Sequence, residues 1–469
     1  MSANALWKAD AVYAATGGQG EGDWQALGVS IDSRTLNKGD LFVAIAGPHF
    51  DGHDFVPLAI KAGAAAAVVA RAPGMDKRFL VLVPDTLKAL EDLGRAARAR
   101  SKAKIIAITG SVGKTGSKEA LKHMLSAQMP THASEGSLNN QWGVPLSLSR
   151  MAESVKAGIF EIGMNHAGEI TPLVQMVRPH VALITTVEPV HLEFFPNVEA
   201  IAEAKAEIFS GLEKNGTAVL NADNPHFELL KKRAKAQGAR ILSFGANASA
   251  DARLVALDTL PEHSLVKAEI NGRTLSYVLG IAGRHIALNS LGWLSAIDAI
   301  GADVALAASR LKDLQPTKGR GTRSEIRLGG GSALLIDESY NANPASMRAA
   351  LQTLASLKPA GSGRRIAVLG DMLELGEQAK TLHAELARAI ADTKTDLVFL
   401  AGPLMSALAH ALPHKCLGAH AMSAEELAPS VIREIRPGDV VIVKGSYGSR
   451  MRAVVAALNA SGTAAGQSE

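Results

Sequence analysis

The chain has a single cysteine, Cys416, in 469 residues. One thiol excludes an intramolecular disulfide and a cysteine-built metal site, and it suits a reducing compartment. Aromatic residues are scarce, at 4%. That argues against a platform of rings for stacking bases, so no nucleic-acid partner is expected. Long apolar runs are missing too. The longest run of small apolar residues, 62–70, is bracketed by Lys61 and Arg71, and it is far shorter than the roughly 20 residues of a membrane helix. The N-terminal stretch MSANALWKADAVYAATGG has no apolar signal core. A cytoplasmic protein without membrane insertion is expected. Charge of one sign is also lacking: 49 Lys and Arg stand against 45 Asp and Glu, a balance of +4. The clusters at Arg95, Arg98, Arg100 and Lys102 and at Lys231, Lys232 and Arg233 read as solvated helix faces. Small phosphate-rich substrates suit the remainder.

What is present is length, alanine and glycine. A chain this long is expected to form two to four domains, and small residues in quantity favour layered α/β packing. Residues 1–102 show short strands and a helix–strand alternation, closed by a charged amphipathic helix over 85–102. Residues 103–315 alternate buried strand and helix, the pattern of a parallel sheet wrapped by helices. Within them, 240–282 alternate with period two and are expected to form an antiparallel side sheet. A Pro/Gly/Lys-rich connector at 315–323 leads to a third alternating unit, 316–460, read as a small doubly wound domain. The tail, 461–469, is expected to be disordered.

The chemistry starts at ITGSVGKT, residues 108–115. A common phosphate loop would carry glycine where Ile108 stands. Strand before and helix after still make this a phosphate loop. The backbone N–H groups of Gly110, Ser111, Val112, Gly113 and Lys114 can wrap phosphate oxygens, and the helix N-terminus adds positive potential. Lys114 supplies a point charge, and the Thr115 hydroxyl suits Mg²⁺.

Thr109-Gly110-Ser111-Val112-Gly113-Lys114-Thr115 after an apolar strand resembles the ATP loop of the Mur ligase family. The resemblance runs from about residue 28 to about 457. It implies three domains: an N-terminal UDP-binding α/β domain, a central P-loop parallel-sheet ATPase domain and a C-terminal Rossmann-like domain. It also implies an ATP-dependent amide ligase with Mg²⁺, two ions being expected. Glu161 in FEIG and His191 in VHLEFF match the family's metal ligands. Lys205, read on its own, is a surface lysine; in AKAEIF it matches the family's carbamylated lysine, a further oxygen ligand. Asn139 and Asn140 match the motif that holds the UDP-linked sugar. Ser33 and Arg34, in DSRTLNKGDLFVA, match the UDP-binding segment, and Asp51-Gly52-His53 nearby also reads as a structural turn. His285 and Asn289 match a nucleotide-side helix start, and Arg320 matches the linker arginine. Asp337, Tyr340, Asn341 and Asn343 of DESYNANP match residues lying against the nucleotide.

SYNANP with GDMLELG, and the absence of DNPR, resemble the branch that adds D-alanyl-D-alanine to UDP-N-acetylmuramoyl-tripeptide, and a monomer is expected. Two alternatives stay open: a related ligase adding a single amino acid, and a non-catalytic nucleotide-binding module.

Overall fold

The computed structural model describes residues 5–47, 50–71, 74–190, 192–260 and 262–465. Among them, strands form four sheets, of two, four, nine and six strands. The N-terminal part pairs Trp7–Lys8 with Gln25–Ala26 and builds a parallel sheet from Gly28–Ser30, Asp40–Val43, Ala66–Val69 and Leu80–Leu82. Asp40–Val43 and Ala66–Val69 are buried at every residue, as parallel strands covered on both faces are. The small-residue run is thus an inner strand. Nearby, His53 Nδ1–H donates to Asp51 Oδ1 (2.6 Å), and His53 Nε2 accepts the N–H of Ala70 (2.8 Å). A Cβ on Gly52 would come within 2.7 Å of the Ile45 backbone. Asp51-Gly52-His53 is a structural turn.

Helix Thr86–Arg100 starts on Asp85, whose carboxylate accepts the N–H groups of Leu87 and Lys88. One expectation for this helix is corrected. Arg95 lies on its solvated face, paired with Glu91 and Asp92. Arg98 is buried instead, donating to the carbonyls of Val177 and Arg178 (both 2.8 Å) and reaching Glu213 (3.3 Å). Its charge docks this helix on the central domain, a partner that the helix's own periodicity cannot reveal.

The central sheet runs, edge to edge, Arg273–Leu279, Ser264–Ile270, Ala252–Thr259, Arg240–Gly245, Thr217–Asn221, Val181–Ile184, Lys104–Thr109, Ala157–Glu161 and Thr131–Ala133. Lys104–Thr109 therefore lies between two parallel neighbours. Its alternate residues serve two cores. Ile106 and Ile108 join one with Leu121 and Leu291, and Ile105 and Ala107 join the other with Phe160 and Ile184. The antiparallel expectation for 240–282 needs correction: Arg240–Gly245 pairs parallel with Thr217–Asn221, and only the three strands after it are antiparallel. Leu242 and Phe244 face one core while Ile241 packs on the other, so this strand is sandwiched and carries no polar face. The hairpins extend the same sheet through a short parallel contact at Phe244–Ala252.

In the C-terminal part, Thr322–Leu328 pairs antiparallel with Gly331–Glu338. Val440–Lys444, Arg365–Gly370, Leu397–Ala401 and Leu417–Ala421 then continue in parallel. The last helix, Arg452–Ala465, runs into the segment expected to be disordered. Gly462 explains this: it sits where a Cβ would lie 2.9 Å from the Arg327 amide nitrogen, so the helix docks closely on the edge strand. No helix among the described residues is long and apolar enough to cross a membrane.

Candidate active site

The loop at 109–115 leaves the C-terminal end of the central strand, where ligands of parallel sheets gather. Ile108 is still strand, its carbonyl accepting the N–H of Ile162 (2.8 Å), so no glycine is needed there. The turn begins at Gly110 (φ 146°), where a Cβ would lie 2.0 Å from Thr185 Oγ1. Thr185 also ties the loop down by donating to the Val112 carbonyl (2.6 Å). Ser111 exchanges two hydrogen bonds with the Glu188 backbone through its hydroxyl. Gly113 (φ 86°) precedes helix Lys114–Ser126, and a Cβ there would meet Asn289 Nδ2 at 3.0 Å. Asn289, on helix Arg284–Ala299, thus lies against the loop. Gly116, a poor helix former, does not displace the helix start.

Lys114 Nζ donates to the Gly110 carbonyl (2.7 Å). Burial pushes its pKa down; Glu161 opposes this and Arg320 adds to it. The charges of a carboxylate and of the linker arginine are thus both felt at the loop lysine. Glu161 ends strand Ala157–Glu161 at 2% exposure. Its Oε1 accepts from Asn139 Nδ2 (2.7 Å). Its Oε2 is buried with no partner among the described residues, as is Thr109 Oγ1. A buried carboxylate oxygen left unpaired is costly unless something else meets it. Thr115 is buried in the first turn of the helix.

Lys205 is not at the surface. It lies in the last turn of helix Val198–Ala206 at 2% exposure. Burial, and then the neighbouring Lys114, push its pKa well below the usual lysine value. His191 lies outside the described residues.

Two further predicted residues, Arg320 and Tyr340, meet at the junction with the third domain. Ser137 hydrogen-bonds to Tyr340 across the domain junction. The Arg320 guanidinium stacks 4.2 Å over the Tyr340 ring, and the Tyr340 N–H donates to the Gly319 carbonyl (3.1 Å). Other side chains have local partners. Asn140 Oδ1 accepts the Gly143 N–H (2.9 Å) at the start of helix Gly143–Ser149. Asp337 accepts from Ser339, Asn341 from the Ala342 N–H, and Asn343 caps helix Pro344–Ser356 in a capping box with Ser346. His285 is exposed in the first turn of helix Arg284–Ala299. Arg34 and Ser33 lie in the N-terminal domain, where Asp32 accepts two hydrogen bonds from the Arg34 guanidinium (2.9 and 2.6 Å).

Sequence reasoning missed Thr185, Glu188 and the Lys444–Glu338 pair (3.2 Å), in which Lys444 also holds the Asn341 carbonyl. Thr185 had a signal: it is the first polar residue after the apolar strand VALI.

Residues 26–98 match the family model described as Mur ligase family, catalytic domain; residues 108–297 match Mur ligase middle domain; residues 322–447 match Mur ligase, glutamate ligase domain. A UDP-N-acetylmuramoyl-tripeptide–D-alanyl-D-alanine ligase of Rickettsia prowazekii is 38% identical, over 91% of this chain and 94% of its own. The chain belongs to the Mur ligase family. A Bacillus subtilis ligase of the same name is 33% identical, over 91% and 92%. The crystal structure of MurF from Acinetobacter baumannii superposes with a TM-score of 0.84 at 30% identity, over 97% of this chain and 99% of that one. MurF ligase from Thermotoga maritima, in complex with ADP, gives 0.78 at 27%, over 93% and 98%. The three-domain α/β architecture of the Mur ligases is therefore this chain's architecture.

Proposed function

We infer that the chain is an ATP-dependent amide ligase that joins D-alanyl-D-alanine to UDP-N-acetylmuramoyl-tripeptide, giving the pentapeptide precursor of peptidoglycan. The observation that carries the chemistry is the phosphate loop facing a buried carboxylate, Glu161, with one oxygen unpaired. The relatives' names carry the choice of substrates.

Mg²⁺ suits this donor set. Glu161 Oε2 and the Thr115 hydroxyl would serve as hard oxygen ligands, with His191 and a carbamate on Lys205 as the other assigned ligands for two ions. Bound there, Mg²⁺ supplies charge neutralisation for the triphosphate and the attacking carboxylate. Burial, and then the Lys114 charge, favour the neutral form of the Lys205 amine, whose lone pair can attack CO₂. A C–N bond forms, the amine's proton leaves to solvent, and a side chain that as an ammonium would repel a cation becomes an oxygen ligand.

In the reaction the loop N–H groups and Lys114 hold the γ-phosphate while the tripeptide's terminal carboxylate attacks it. ADP leaves and an acyl phosphate remains. The dipeptide's amine adds to the activated carbonyl, and the tetrahedral intermediate expels phosphate. Arg320 and Tyr340, from the third domain's side, are assigned to close over the nucleotide with Asp337, Asn341, Asn343, His285 and Asn289, a reading that the Arg320–Tyr340 stack supports, and closure would exclude water. Ser33, Arg34, Asn139 and Asn140 are assigned to the UDP-linked substrate. The proposed setting is a monomer in the cytoplasm.

The test is phosphate release from ATP and Mg²⁺ with UDP-N-acetylmuramoyl-tripeptide, with D-alanyl-D-alanine or single amino acids added in parallel and the product weighed. A pentapeptide product formed only with the dipeptide is expected. Product with a single amino acid instead would overturn the substrate assignment. Lys114→Ala is expected to lose turnover through lost phosphate positioning, and unchanged product formation would refute the loop assignment.

A further inference from the structure

Lys118 is among the largest fully buried side chains, at 0% exposure. Burying an ammonium is costly unless every donor is met. Here all three are met: Nζ donates to the carbonyls of Ser134 and Gly136 (both 2.7 Å) and to Glu119 Oε1 (2.8 Å). A methionine would fill similar space without that cost, so the charge calls for a reason.

The two carbonyls supply one. They belong to the loop between strand Thr131–Ala133 and helix Gly143–Ser149. Gly136, at φ 52°, turns that loop. The next residues are Ser137, which meets Tyr340, and Asn139, which orients Glu161. Lys118 itself stands one helical turn after Lys114, on the helix whose N-terminus faces the phosphates.

We propose that Lys118 is a positioning residue. It clamps the 134–140 loop to the phosphate-loop helix, so that Asn139 reaches Glu161 and the loop is set to receive the UDP-linked substrate. The inference rests on the assignment of Glu161 and Asn139 given above. Lys118 touches neither nucleotide nor acceptor substrate and acts through Asn139.

The experiment compares Lys118→Met, Asn139→Ala and the double variant by steady-state kinetics, with ATP and UDP-N-acetylmuramoyl-tripeptide varied separately. Lys118→Met is expected to raise KM for the tripeptide substrate by roughly ten- to a hundredfold, while KM for ATP stays within about twofold. The double variant should be no worse than Asn139→Ala alone, because both changes break one arrangement. An impaired Asn139→Ala with strictly multiplicative losses in the double variant overturns the clamp. So does a parallel rise in both KM values. A silent Asn139→Ala overturns the site assignment beneath it, and the clamp with it. If Lys118→Met does not fold, Lys118→Arg carries the test: a one-sided rise in KM supports the clamp, and unchanged constants or an equal rise in both overturn it.

Discussion

Gly110 and Gly113 differ in how much room the loop leaves them. At Gly110 an added methyl would collide with Thr185 Oγ1 at 2.0 Å, and Thr185 cannot retreat without releasing the Val112 carbonyl. At Gly113 the obstacle is the end of the Asn289 side chain at 3.0 Å, and the strain of a positive φ is about 1–2 kcal/mol. Gly110→Ala is therefore expected to lose at least about a hundredfold in kcat/KM, and Gly113→Ala roughly tenfold; phosphate-release kinetics on both decide it. His383 carries a pH prediction. It is fully buried, its Nε2 accepting the Met372 N–H and its Nδ1–H donating to the Ala379 carbonyl. Burial pushes its pKa down more than the Ala379 carbonyl and Asp371 pull it up. The unfolded chain then binds the proton more readily. The stability His383 contributes is full above its unfolded pKa of about 6.5 and is lost as pH falls through the lower folded value. Urea midpoints should drop between pH 8 and pH 5.5, and His383→Gln should flatten that drop without abolishing it, since His132 and His180 are lowered by burial too. At this scale the sequence was most legible where the chemistry is consecutive. Residues 109–115 form one loop and could be read as such. Lys205 was legible only through the resemblance of AKAEIF, because by pattern alone a lysine in an alanine-rich helix looks solvated until Lys114 and the second core are packed around it.

Elements were legible where local chemistry decides them. Asp85, Asn197, Asp303, Asn343 and Ser423 each accept a backbone N–H at a helix start, and such residues at such places are read without a structure. Arg240–Gly245 shows the opposite case: its direction depends on Thr217–Asn221, and its lack of a polar face depends on two separate cores. Asn343 allows an element-scale prediction that separates two roles. Asn343→Ala should lower the unfolding free energy by about 1 kcal/mol through the lost cap, as measured by urea denaturation. Asn343→Ser should retain most of that stability. If Asn343→Ser also keeps the KM for ATP, the residue serves the helix alone and its proposed nucleotide contact falls.

At the scale of the whole molecule, the three parts are joined by specific hydrogen bonds as well as by packing. Arg98 and the Trp7 indole, whose N–H donates to the Ser149 carbonyl (2.8 Å), tie the N-terminal part to the centre. The Ser137–Tyr340 contact and the Glu193 N–H donating to the Glu374 carbonyl (3.4 Å) join the centre to the C-terminal part. Tyr340→Phe removes one hydroxyl from that second junction. Solution scattering with ATP and the tripeptide substrate is expected to show a larger radius of gyration for the variant than for the parent; equal radii would show that the hydroxyl does not hold the domains together. None of these ties is visible as a motif, since each joins residues far apart in sequence and each is made by the packing of whole domains.

The position of Lys104–Thr109 in the sheet also sets a timetable. Both of its neighbours are synthesised after it, Ala157–Glu161 first and Val181–Ile184 later. On the ribosome the phosphate loop emerges before the carboxylate it faces and before the threonine that shapes it. The site is therefore assembled by chain that arrives late, as non-local pairing requires. Stalled nascent chains ending between Glu161 and Val181 should carry the whole ITGSVGKT motif and still fail to retain ATP.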